Sequence, residues 1–458
     1  MIILKEEAKR ALSIRLPEKV KYIIGTIQAA GFEAYAVGGC VRDSILGREP
    51  NDWDITTSAR PEEIKALFKY TVDTGIQHGT VTVLVEKENF EVTTYRIDGE
   101  YEDGRHPKNV AFTDSLTEDL RRRDFTINAM AYNEARGLVD VFGGTEDLEK
   151  GIIRCVGAAE ERFGEDALRM LRAIRFSAQL GYTIEAQTLR AIHRLAPSLA
   201  RISAERIQIE LVKLMVSPHP DHIKIAYDTG VTSVFFPEWD RAMQTPQNHP
   251  HHCYGVGEHI LHSLPEVPAD KVLRLSMLLH DIAKPEVMEI DDNDVTHFHG
   301  HAAKGETMAK EILRRLKFDN DTISKVSTLV RYHDYGNGME INRRIVRRAV
   351  NKIGEELFPS LLLIKKADIL AQSNYLREEK LEALEAWRRC YEEILAAGEC
   401  VSLRTLSVSG KDLIGAGLKP GKKLGEVLKL LLEEVLEEPE KNTREYLLSR
   451  AIEVAKEA

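Results

Sequence analysis

The hydrophobic pattern divides the chain into an opening part that mixes short apolar runs with helical stretches and a long remainder of helical periodicity. A helix is expected from Pro17 to Ala30, stopped by Gly31. Tyr35-Ala36-Val37 reads as a strand that ends at Gly38-Gly39, and Val41 to Leu46 reads as a short helix. Asp52-Trp53-Asp54 runs into Ile55-Thr56 as a second strand. Ser58 to Glu63 then looks like a helix start, with Ser58 as its cap. Val81–Val85 and Phe90–Tyr95 form a hairpin. From 161 to 176, Phe163, Ala167, Leu171, Ile174 and Phe176 mark the apolar face of one helix, while Asp166, Arg169, Arg172 and Arg175 make a polar stripe on it. Residues 185–240 are helical between Pro197, Pro218, Pro220 and Pro237, and long helices fill 376–397 and Leu424–Leu436. Pro439 breaks the last of these, and a final helix starts near Asn442-Thr443. The expected class is α+β, with a mixed sheet early and an all-α remainder.

A chain of 458 residues implies at least two domains, and 43% hydrophobic with 30% charged residues is the composition of a soluble globular protein. No run of 18 apolar residues is present, so no membrane span is expected, and the first residues lack the layout of a signal peptide. Cys40, Cys155, Cys253, Cys390 and Cys400 form no pairable framework, which fits a reducing cytoplasm. A net charge of −10 places any nucleic-acid contact on local basic faces.

Candidate chemistry begins at residues 35–57, YAVGGCVRDSILGREPNDWDITT. Two glycines between a strand and a helix let backbone amides approach a polyphosphate, and Arg42 can add a fork of donors. Side chains at i and i+2 of a strand share a face, so Asp52 and Asp54 should stand together. Paired carboxylates of this kind hold two Mg²⁺ in phosphoryl-transfer sites. Glu91, on the strand expected beside them, is either a third carboxylate of the site or a solvent-facing residue.

The ordered set GGxVRD–x₈–DxD resembles the signature of the polymerase-β-like nucleotidyltransferases. Within them it is similar to the class II tRNA nucleotidyltransferase and bacterial poly(A) polymerase family. The resemblance implies a polymerase-β-like palm whose Asp52 and Asp54 are catalytic and bind Mg²⁺, with Gly38, Gly39 and Arg42 at the nucleotide. It implies that residues 98–109 are a loop that helps set nucleotide choice through Asp103 and Arg105. Trimming that loop should then impair the final A addition more than the two C additions. In RRRDFTINAMA it assigns Arg123 to phosphate and Asp124 and Asn128 to the ribose hydroxyls. LVDVFGGTEDL reads as a strand–turn–helix junction that positions two domains. In EDALRMLRAIR, Asp166 and Arg169 would read the base, Glu165 would brace Arg169, and Arg172 and Arg175 would brace the pair or contact phosphate. ISAERI reads as a structural helix start capped by Ser203.

A second constellation follows. Nine of the fifteen histidines lie between 249 and 301. Imidazoles and carboxylates dispersed over successive helices suit a divalent metal inside a helical bundle. The series His259, His280-Asp281, Asp368, with LLHDIAKP, resembles the HD phosphohydrolase domain. That resemblance implies a metal at His259, His280, Asp281 and Asp368. His301 and His333 would be ligands of a second ion or phosphate contacts, with Lys284 facing phosphate. The glycine-punctuated segment before Leu424 is either an RNA-backbone contact through Lys419, Lys422 and Lys423 or a plain connector.

The expected organisation is a palm at 1–156, a neck and body at 157–240, an α-helical HD domain at 245–385 and a helical tail at 386–458. The implied activity is template-independent addition of CCA to the tRNA 3′ end from CTP and ATP, in two-metal chemistry that releases pyrophosphate. Poly(A) polymerase, CC-only or A-only addition, and a metal-dependent phosphohydrolase with an RNA-binding transferase half stand as alternatives.

Overall fold

The computed structural model describes residues 13–99 and 110–457. The chain is α+β and separates into two compact units between Phe235 and Phe236.

In the first unit the strands are β1 (Ala34–Val37), β2 (Ile55–Thr57), β3 (Thr71–Gly75), β4 (Thr80–Val85) and β5 (Glu88–Thr94). They continue as β6 (Arg96–Asp98), β7 (Val110–Phe112), β8 (Met130–Asn133) and β9 (Gly137–Asp140), followed by a short parallel pair, β10 (Ile152–Ile153) and β11 (Thr183–Ile184). Seven of them form one sheet in the order β3-β4-β5-β2-β1-β8-β9, while β6 and β7 pair separately. Within that sheet β2 and β5 run parallel, with Ile55 opposite Val92, and the remaining neighbours are antiparallel. Every position of the central β1 is buried, the pattern of a strand covered on both faces. The helix Glu18–Ala29 buries Val20, Ile23, Ile24 and Ile27, spaced at three and four as an amphipathic helix requires.

Three local expectations change. Asp52 and Asp54 lie just ahead of β2 instead of within it, because β1 ends at Val37 and the chain turns away at Gly38. The segment is still extended at its end, and the Asp54 carbonyl accepts the Val37 N–H at 3.0 Å. Ser58 does not cap the next helix: its Oγ accepts the Glu33 N–H at 2.9 Å. The helix Pro61–Leu67 instead starts after Arg60, whose N–H is taken by Glu63 at 2.7 Å. The single helix expected over 161–176 is two, Ala159–Glu165 and Leu168–Leu180, broken where Asp166 adopts an extended backbone.

The second unit is helical apart from a small strand pair. The helices Val256–Ser263, Lys271–Leu279, His301–Arg315, Asn320–Tyr332 and Phe358–Ala371 carry the histidine and aspartate series on them or at their ends. The helices Gly410–Gly415, Lys422–Glu437 and Arg444–Glu457 build a core of their own around Leu413, Leu431, Val435 and Leu447. Among the described residues no helix is long and apolar enough to cross a membrane.

Candidate active site

The first site forms where β1 ends. Gly38 has φ +83°, a left-handed conformation that L side chains rarely adopt, and its N–H donates to the Met130 carbonyl at 3.1 Å. A Cβ on Gly38 would lie 3.1 Å from Arg123 Nη1, so the glycine is what allows that guanidinium to lie against the turn. Asp54, Glu91, Arg96, Arg122 and Arg123 line a cleft of about 170 Å³ beside it. Glu91 sits on β5 one residue before Val92, the partner of Ile55, and so beside Asp54. Asp54 meets solvent at its surface but is crowded by the cleft walls. Desolvation, with the charges of Asp52 and Glu91, outweighs Arg123 and pushes its carboxyl up to about 6. Among the described residues Asp52, Asp54 and Glu91 do not converge as a ligand triad, although they feel one another's charge and carboxylate oxygens suit a hard divalent cation.

The arginines opposite are held by a buried hub. Asp119 accepts Arg122 Nε and Nη2 at 2.9 and 2.7 Å and the Thr56 hydroxyl at 3.0 Å, and pairs with Arg123 at 3.5 Å. Burial alone would raise the Asp119 carboxyl, but Arg122 and Arg123 hold it below the usual range. Arg123 Nε is buried with no hydrogen-bond partner, a donor left for a ligand. Asp119 was not legible as a hub, although its spacing of three and four to the arginines on one helical turn was the available signal.

Asp124 and Asn128 lie together. Asp124 Oδ2 accepts Arg172 Nε and Nη2 at 2.9 and 2.6 Å, and its Oδ1 accepts Asn128 Nδ2 at 3.2 Å. Burial opposes ionisation of Asp124, but Arg172 and Arg169 overcome it and keep the carboxyl well below its ordinary value. Arg172 therefore braces Asp124. Arg175 is buried against Glu210 at 2.5 Å and Gln179 at 2.7 Å. Arg172 also lies within electrostatic reach of Asp166, while Arg175 turns to Glu210.

Glu165 does hold Arg169 by a short ion pair, and Arg169 also donates to the carbonyls of Arg162 and Arg122, each at 3.1 Å. Asp166 is oriented by a residue the sequence reading passed over: Arg206 donates Nη2 to Oδ2 at 2.6 Å and Nη1 to Oδ1 at 3.3 Å. Arg206 belongs to the segment read as a structural helix start. Ser203 occupies the N-cap position there, but its side chain makes no capping bond. Asp103 and Arg105 lie outside the described residues.

The second unit brings its series together more tightly. His259 Nε2 stands 3.2 Å from His280 Nε2 and 2.9 Å from Asp368 Oδ1, and His280 Nε2 is 3.3 Å from Asp281 Oδ2. On the other side of the same carboxylate, His301 and His333 approach Asp281 Oδ1 at 3.5 and 3.6 Å and each other at 3.2 Å. Two triads of potential ligands result, His259–His280–Asp368 and Asp281–His301–His333. Each imidazole uses Nδ1 on a main-chain carbonyl: His259 on Ala371, His280 on Met277, His301 on Phe298 and His333 on Val330. These bonds fix the tautomer and leave Nε2 lone pairs facing one another. Asp281 Oδ1 is buried without a hydrogen bond, and Lys284 Nζ pairs with Oδ2 at 2.6 Å. A cavity of about 940 Å³ opens over this cluster, lined in part by Lys284, His301, Lys365, Asp368, Lys380 and Trp387.

An arginine shelf facing carboxylates at the end of a mixed sheet is the arrangement of a nucleotidyltransferase, and known proteins agree. The Poly A polymerase head domain model matches residues 34–154, and the model described as "Probable RNA and SrmB- binding site of polymerase A" matches 181–243. The tRNA nucleotidyltransferase domain 2 model matches 296–451. The CCA-adding enzyme of Limosilactobacillus reuteri is 35% identical over 445 residues, 96% of this chain and 97% of that protein. The CCA-adding enzyme of Lactiplantibacillus plantarum is 56% identical over 203 residues, 44% of this chain, and the match spans 50% of that relative's length. A crystal structure of the Bacillus stearothermophilus CCA-adding enzyme in complex with CTP superposes with a TM-score of 0.72 at 30% identity, covering 95% of this chain and 96% of that one. The chain belongs to the family of the CCA-adding enzymes.

Proposed function

We propose that this chain adds C, C and A to the 3′ end of tRNA from CTP and ATP, with no nucleic-acid template, and works in the cytoplasm. The observation that carries the reading is the pair of base-facing candidates held by the protein itself, Asp166 by Arg206 and Arg169 by Glu165. On the Watson–Crick edge cytosine and adenine both present an amine donor next to a ring acceptor. A carboxylate accepts from the amine and a guanidinium donates to the ring nitrogen, and neither uracil nor guanine offers that pattern. Arg123 faces the triphosphate, and Asp124 with Asn128 takes the ribose. Asp52 and Asp54 would hold two Mg²⁺, which supply charge neutralisation at the attacking hydroxyl and the leaving pyrophosphate. Asp54→Asn is expected to lower nucleotide incorporation at least ~100-fold with tRNA binding retained. Incorporation within twofold of wild type would remove Asp54 from the chemistry.

A second reading is favoured by the four facing Nε2 atoms in the other unit. Aimed at one another with no proton between them, they make sense around cations, and Asp281 would bridge two of them. We read this as the metal centre of a phosphohydrolase. Purified protein should carry a divalent metal that His280→Ala loses while CCA addition continues. Metal-free wild-type protein, with hydrolysis of phosphate esters at background, would refute it.

A further inference from the structure

As the fourth residue of the helix Gly39–Ile45, Arg42 would be expected to reach for phosphate. The structure gives three of its five donors to other side chains. Its side chain is buried, with Nε and Nη2 each 2.9 Å from an oxygen of Asp43 and Nη1 donating to Asn128 Oδ1 at 2.7 Å. Its guanidinium carbon lies 5.0 Å from the centroid of Phe176, a ring that also receives Arg172 at 5.5 Å and Arg175 at 3.8 Å. Asn128 in turn donates Nδ2 to Asp124 Oδ1, and Asp124 is gripped by Arg172. The side chains form one chain of bonds, Asp43–Arg42–Asn128–Asp124–Arg172.

Its consequence is at the amide. An asparagine side chain can exchange its oxygen and nitrogen by a half-turn, which turns an acceptor into a donor. With Oδ1 against a guanidinium, the flipped form would set N–H against N–H and leave buried donors unpaired. The amide is thereby held in one state, with one Nδ2 hydrogen on Asp124 and the other left for a ligand.

We propose that Arg42 is a positioning residue for sugar selection: it locks the Asn128 amide so that Nδ2 and the Asp124 carboxylate meet the ribose hydroxyls of the incoming nucleotide. This rests on the nucleotidyl-transfer reading above. Arg42→Lys keeps the charge but cannot hold Asp43 and Asn128 at once. Steady-state addition of CTP and of dCTP to tRNA should show kcat/KM for CTP falling ~10-fold and that for dCTP falling little, so the ribose preference drops ~10-fold. In an Asn128→Ala background, Arg42→Lys should leave the remaining preference unchanged, because the residue acts through the amide. Asp43→Asn, which loosens the guanidinium from its other side, should lower the preference ~3-fold, and it serves if Arg42→Lys does not fold. Equal losses for CTP and dCTP, or a further loss of preference in the Asn128→Ala background, would overturn the proposal and return Arg42 to phosphate or to structure alone. A wild-type protein that adds no nucleotide would instead fail the reading beneath it.

Discussion

Gly38 shows how much can rest on one hydrogen atom. Its positive φ and the 3.1 Å approach of Arg123 to the place a Cβ would occupy make any side chain costly twice, in backbone strain and in displacement of the Arg123 guanidinium. Gly38→Ala should cost about 1–2 kcal/mol in stability from the left-handed backbone. Incorporation should fall more than ~10-fold, beyond what that destabilisation explains at a temperature where the variant stays folded. Activity within twofold of wild type would mean Arg123 does not need this place. The same scale shows what a sequence conceals. Asp52, Asp54, Asp124, Asn128 and Asp166 were singled out as candidates because they sit in short ordered motifs. Their partners were not. Arg206 reaches Asp166 across 40 positions, Arg172 reaches Asp124 across 48, and no local periodicity encodes such pairings.

Among the elements, the polar stripe Asp166–Arg169–Arg172–Arg175 explains one mismatch. Steps of three on a helix of ~3.6 residues per turn fall back ~60° each, so residues six apart differ by ~120° in direction. Arg169 consequently stays with Glu165 while Arg175 turns into the core against Glu210, and the break at Asp166 swings that carboxylate towards Arg206. The β4–β5 hairpin was read correctly, but its turn holds a strain the pattern did not reveal. Val85 pairs with Glu88 across two residues, Glu86 and Lys87, both with positive φ of 50° and 70°. Such two-residue turns favour Asn-Gly. Lys87→Gly should stabilise the protein by about 0.5–1 kcal/mol, read as a higher midpoint in denaturant with an unchanged slope, and a lower midpoint would contradict it.

At the scale of the molecule, two constellations occupy two compact units, each drawn from that unit's own described residues. The mixed sheet and the helical remainder were legible from periodicity, and the histidine series from its spacing. The bridging place of Asp281 between two triads was not, since it depends on the C-terminal ends of helices Lys271–Leu279 and Asn320–Tyr332 meeting the start of His301–Arg315. Addition of CCA from the first unit is the central claim, and extension of a tRNA that ends at its discriminator base tests it most directly. Purified protein with Mg²⁺ and CTP, ATP or both, resolved at single-nucleotide length, should give a product that stops after three additions and requires both nucleotides. A stop at two with CTP alone, a single A on a CC-ended tRNA, or a long ladder with ATP alone would contradict it in favour of a sister transferase, and no extension at all would leave only the histidine–aspartate cluster of the second unit as the seat of chemistry.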